Sequence, residues 1–169
     1  MRPLSVAPAT ATGASRSNSP NGRNFVGIIC GASARVMTLV REALPRDTPI
    51  IAKLSPDVTD IVDIASACLK AGATGLTMIN TTLGMVVDLD RMRPQVAGVT
   101  GGLSGPAVRP IAVRAVWQVA SAMREGRLPR VPIIGVGGIR SGRDALELIA
   151  VGATAVQVGT ATFNDPLAP

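Results

Sequence analysis

A chain of 169 residues with 47% apolar side chains is long enough for one domain with a real core. It has neither His nor Tyr, which excludes imidazole chemistry and Ser–His–Asp triads at once. The net charge of +6 suggests nucleic acid, but Arg2, Arg16, Arg23, Arg35 and Arg41 all precede the first acidic residue, Glu42, and from there 12 basic residues face 11 acidic ones; with 2% aromatics and no basic stripe, nucleic acid is not the expected partner.

Cys30 and Cys68 show no CxxC spacing, so a reduced cytoplasmic compartment and no metal site are expected. No run approaches the roughly 18 apolar residues of a membrane span, which predicts a soluble protein with no membrane partner.

Residues 1–24, rich in Ser, Ala, Pro and Arg, lack apolar periodicity and read as a low-complexity, disordered leader ahead of a domain at 25–169. An organelle transit peptide is the alternative, weakened by prolines that spoil an amphipathic helix. SARVMTLVREAL, 33–44, spaces Val36, Met37, Val40 and Leu44 as one helical face, and PIIAKL, 49–54, reads as a buried strand. DVTDIVDIASACLKAG places Val58, Ile61, Ala65, Cys68 and Leu69 on one face and stops at Gly72. The carboxylates of Asp57, Asp60 and Asp63 read as a solvated helix N-terminus, without chemistry.

GLTMIN, 75–80, is the next strand. A long glycine-containing segment, 81–106, separates it from the helix PAVRPIAVRAVWQVASAM, whose Ile111, Val116, Val119 and Met123 share a face. PIIGVGG, 132–138, and AVQVGTA, 155–161, are strands around the helix RDALELIAVGA. Strand–helix alternation with all-apolar strands predicts parallel α/β packing with four strands.

Both of the last two strands run into glycine, at Gly137 and Gly138 and at Gly159 with Thr160. Paired strand ends of this kind form a phosphate site, because bare N–H groups beside a helix start accept an oxyanion that a side chain would block. Strand-to-helix turning alone is the plainer explanation. GVGG does not have the GxGxxG spacing, so a dinucleotide site is not supported. Lys53 lies in an apolar strand, where an ammonium is costly unless something anionic or electron-rich meets it; a lysine snorkelling from an edge strand is the alternative. Asn80 and Thr81 end their strand with an amide and a hydroxyl suited to a planar hydrogen-bonding ligand, or to a turn. VTGGLSGPA, 99–107, combines three glycines with Ser104 ahead of a proline-started helix.

Taken together, IIAKLSPDVTD, GATGLTMINTTLGM, VTGGLSGPAVRPIAVRAVWQVA, PIIGVGGIRSGRDALELIAVGA and AVQVGTATFNDP resemble the C-terminal half of dihydroorotate dehydrogenases, closest to the class 1B catalytic subunit, over about residues 49–166. The resemblance implies a partial (β/α)8 TIM barrel covering the last four β/α units, and FMN-dependent oxidation of (S)-dihydroorotate to orotate in pyrimidine biosynthesis. It implies FMN contacts at Lys53, Ile79, Gly105, Gly137, Gly138, Gly159 and Thr160, the last four around the phosphate, and substrate contacts at Asn80 and Thr81.

The family's base loop, of the type N-x-S-C-P-N, has its nearest match in Arg16-Ser17-Asn18-Ser19-Pro20-Asn21, with Ser19 at the base position and Asn21 as a substrate amide. Class 1B likeness also implies a partner subunit carrying FAD and an iron–sulfur cluster, with NAD as acceptor. Half a barrel leaves strand edges and an inner face open, so the expectation includes a fragment or an oligomer that closes it. Two other readings stand beside this one: a non-catalytic half barrel that binds flavin or phosphate, and a different FMN- or phosphate-binding barrel oxidoreductase.

Overall fold

The computed structural model describes residues 24–167, with side chains from residue 34 onward. The helix α1, Asn24–Ala43, leads to strand β1, Ile51–Leu54, helix α2, Ile61–Lys70, and strand β2, Gly75–Met78. Four short strands follow: β3, Thr82–Gly84, β4, Val87–Asp88, β5, Arg93–Pro94, and β6, Gly101–Leu103. A 3-10 turn at Pro106–Val108 opens helix α3, Arg109–Arg124, and the chain closes with β7, Ile133–Val136, α4, Gly142–Val151, β8, Ala155–Gln157, and the single turn α5, Ala161–Asn164.

The main sheet runs β1-β2-β7-β8, parallel throughout. This is the four-stranded α/β arrangement that the alternation predicts. Helices α2 and α4 start at side-chain caps. Asp60 caps α2 by accepting from the N–H groups of Val62 and Asp63 at 2.8 and 3.3 Å, and Ser141 caps α4 through the N–H of Asp144 at 3.3 Å. Gly152 ends α4 with φ +125° and sits against Ala120 of α3, where a Cβ would collide.

Alternation along the strands divides the sheet into two faces. The registered rows Ala52–Leu76–Ile133 and Leu54–Met78–Gly135 are buried under α2, α3 and α4; Leu76 and Met78 are wholly inaccessible. Gly135 faces Leu148 of α4, which a Cβ would approach to 3.1 Å. The opposite rows are uncovered at the edge strands, where Ile51 is 51% exposed and Lys53, Ala155 and Gln157 are exposed.

Three expectations change. The first helix starts at Asn24 rather than Ser33, and of its expected face only Met37 is buried, while Val36 is 59% exposed and Val40 and Leu44 are 38% exposed. Among the described elements it packs chiefly on α2. On α3, which packs on β7 and β2, Val116, Val119 and Met123 are buried as expected and Ile111 only partly, and the small residues Ala112, Ala115 and Ala122 are buried as well. The segment 81–106 is not a plain loop, because β3 pairs with β6 and β4 with β5 as two antiparallel ribbons. Their pairs are too short for a period-two pattern to show in sequence.

Candidate functional site

The C-terminal ends of all four parallel strands open on one cleft of about 490 Å3, within the range of roughly 300–1,000 Å3 typical of small-molecule sites. β1 supplies Lys53. Beyond β2, the N–H of Ile79 donates to Val136 at 2.9 Å and that of Asn80 to Leu54 at 2.8 Å, extending the ladder and leaving the exposed Asn80 side chain at the rim. Ile79 is 3% exposed and forms part of the wall, beside Thr81. The 3-10 turn and the residues just before it contribute Ser104, Gly105 and Val108, and the ends of β7 and β8 contribute Gly137, Gly138, Gly159 and Thr160.

The cleft thus brings together nine sequence-derived positions: Lys53, Ile79, Asn80, Thr81, Gly105, Gly137, Gly138, Gly159 and Thr160. Ser19 and Asn21 lie outside the described residues.

The glycines divide by cause. Gly137, at φ +139°, packs so that a Cβ would come within 3.0 Å of the Ala112 Cβ, and Gly138, at φ +73°, would meet the Arg109 Cβ at 2.7 Å and the Gly105 carbonyl at 2.8 Å. Both need glycine for the fold itself. Gly105 has φ +77° and open space where a Cβ would point. Gly159 has neither a left-handed backbone nor any atom within 4 Å of that position. Among the described residues, no internal contact or backbone demand accounts for glycine there, and the residue lines the cleft.

Sequence reasoning passed over four polar or charged lining residues, Arg140, Gln157, Asn164 and Asp165. Gln157 was detectable, since it alternates with Ala155 onto the uncovered face; Arg140 follows the glycine pair after one residue, Ile139, and only the fold brings it round to the cleft. With Lys53 it adds positive charge to a rim whose lining includes one carboxylate, Asp165.

Asp57 corrects another expectation. It lies ahead of the α2 cap, where its carboxylate accepts from the Leu83 N–H at 2.9 Å and from the Thr82 hydroxyl. It therefore ties the β1–α2 loop to the start of β3, next to Thr81. Asp60 and Asp63 are at the α2 N-terminus as expected.

Behind the cleft, Asp144 accepts from the Arg140 N–H at 3.0 Å and from the Ser141 hydroxyl at 3.0 Å, and pairs with the Arg109 guanidinium. These interactions, led by the Arg140 N–H, hold its carboxyl below the ordinary value of 3.8 against a smaller opposing effect of burial.

Comparison with known proteins agrees with this geometry. The dihydroorotate dehydrogenase family profile matches residues 8–169. The chain belongs to that family. It is 53% identical over 151 residues to the dihydroorotate dehydrogenase B (NAD(+)) catalytic subunit of Citrifermentans bemidjiense, an alignment covering 89% of this chain and 47% of the relative. The protein of the same name from Geobacter sulfurreducens is 56% identical over 144 residues, 83% of this chain and 45% of the relative, and that from Geotalea daltonii 55% over 146 residues, 84% and 45%. The chain spans about half the length of the curated relatives it matches. Among the described residues, no helix is long and apolar enough to cross a membrane.

Proposed function

We propose that this chain forms the C-terminal four β/α units of a (β/α)8 barrel and the FMN site of a cytoplasmic dihydroorotate dehydrogenase, oxidising (S)-dihydroorotate to orotate in pyrimidine biosynthesis. The observation that carries the reading is Gly159: a glycine with an ordinary backbone and an empty Cβ position, facing a cleft shared with Lys53 and the Gly137–Gly138 turn. A ligand backing onto that strand end explains the missing side chain.

The cleft fits a flavin phosphate on its β7–β8 side, where backbone is bare, and a polar heterocycle on its β1–β2 side. FMN, when bound, supplies the hydride acceptor for a carbon–carbon dehydrogenation. Lys53 keeps a fixed positive charge at the rim, so negative charge gathering there is stabilised without reorganisation. Ile79 provides an apolar wall for a ring. Asn80 and Thr81 offer an amide and a hydroxyl to orient a planar substrate, with Thr81 held near the Asp57-anchored start of β3. Ser19 takes the substrate proton and Asn21 supplies a further amide. A partner subunit carrying FAD and an iron–sulfur cluster would supply the route to NAD; the relatives' names, catalytic subunits of an NAD(+) enzyme, support a partner subunit and that acceptor.

The uncovered sheet face supports a second reading, in which the chain alone retains the flavin cradle without turnover. The two are separated by the absorbance spectrum of purified protein incubated with FMN and freed of excess, followed by anaerobic dihydroorotate. Retained flavin that bleaches on substrate addition is the expected result for a working site, which requires closure of the sheet. Retained but unbleached flavin supports the cradle alone, and loss of all flavin refutes both.

A further inference from the structure

We propose that Asp144 and Arg109 form a positioning clamp for the phosphate-binding side of the cleft, an inference that rests on the flavin reading above. Neither residue lines the cleft. Asp144 lies in the first turn of α4 and does more than complete the Ser141 cap. One oxygen reaches the Arg140 N–H at 3.0 Å, a residue ahead of the cap, and so fixes the loop that carries Gly137 and Gly138. The other takes the guanidinium of Arg109, the first residue of α3, whose Nε also meets Glu147 at 3.1 Å, one turn further along α4.

Arg109 is in turn the floor of that loop. Its Cβ lies directly beneath Gly138, and the carbonyl of Gly105 lies beside it. Gly105 and Val108 wall the cleft just before α3, while Gly137–Arg140 wall it just before α4. One ion pair, with Arg109 34% and Asp144 14% exposed, therefore sets the separation of the two walls. Holding backbone donors at a fixed spacing before an oxyanion arrives removes an ordering cost from binding.

The test is equilibrium titration of the full chain with FMN and, separately, with riboflavin, which has the same ring system and no phosphate. The unaltered chain is expected to prefer FMN. Asp144→Asn and Arg109→Met are expected to lose about tenfold in FMN affinity, the lower end of what outer-layer positioning residues contribute elsewhere, with riboflavin affinity changed less than about twofold; Arg109→Lys recovers part of the loss. Equal losses for both ligands mean that the pair is merely structural and overturn the clamp, as does an unchanged preference in Asp144→Asn. An unaltered chain that does not prefer FMN refutes the phosphate reading itself, and the clamp with it. Should Arg109→Met fail to fold, the isosteric Asp144→Asn carries the test.

Discussion

The two faces of the four-stranded sheet come from the same strands by alternation, yet they carry different loads. On the helix side, Leu76, Met78 and Ile133 are at most 1% exposed beneath α2, α3 and α4. On the other side, Ile51 is half exposed, and Lys53 and Gln157 point towards a cleft. The difference teaches that stability and binding are separated within single strands: one residue holds the fold, and its neighbour is free to meet a ligand.

That separation can be broken by substitution. The largest effect is expected at Leu76→Ala, which costs about 3–5 kcal/mol in urea denaturation, as for other fully buried leucines, while Ile51→Ala costs under about 1 kcal/mol because half of its surface is already wet. Similar costs at the two sites would mean that the uncovered face is packed in solution, as it would be in a closed barrel or an oligomer. Asp60→Ala, which removes the α2 cap, should cost about 1 kcal/mol in the same assay.

At the strand ends the contrast sharpens. Gly159→Ala is expected to change stability by less than about 0.5 kcal/mol, as at other uncrowded positions, yet to weaken FMN binding measured by flavin fluorescence. Gly138→Ala should impair both, since its Cβ would strike Arg109 and the Gly105 carbonyl. A marked loss of stability in Gly159→Ala would contradict the reading of that position as ligand space.

The smallest effect concerns pH. Asp144 has a lowered carboxyl pKa in the fold, so its contribution is present above 3.8 and lost as pH falls below that value through the folded pKa. Chemical denaturation followed between pH 5 and 3 should show a shallower decline for Asp144→Asn than for the unaltered chain.

The strands and helices of the main sheet were legible because each has a long-enough pattern and a local stop: Gly72 after α2, the Ser141 cap at α4, the proline ahead of β7. The ribbons of 81–106 were not, since pairs of two and three residues carry no period. Nine cleft positions were named from motif and resemblance, while Arg140, Gln157 and Asn164 depended on how loops distant in sequence turn towards one another. Asp57 shows the limit most clearly. Its place beside Asp60 and Asp63 suggests one shared role, and a partner 26 residues away, Leu83, assigns it another.

By itself the sequence determined the parallel α/β alternation, the family and the strand ends that open on the cleft, because these depend on residue type and short-range spacing. Tertiary structure alone decided which glycines are crowded by their neighbours and which border open space. It also decided that Val36, Leu39 and Val40 of α1 are exposed and that Arg109 and Asp144, 35 positions apart, meet behind the cleft. Such distinctions depend on which atoms lie within a few ångströms of one another, and residues distant along the chain supply those atoms.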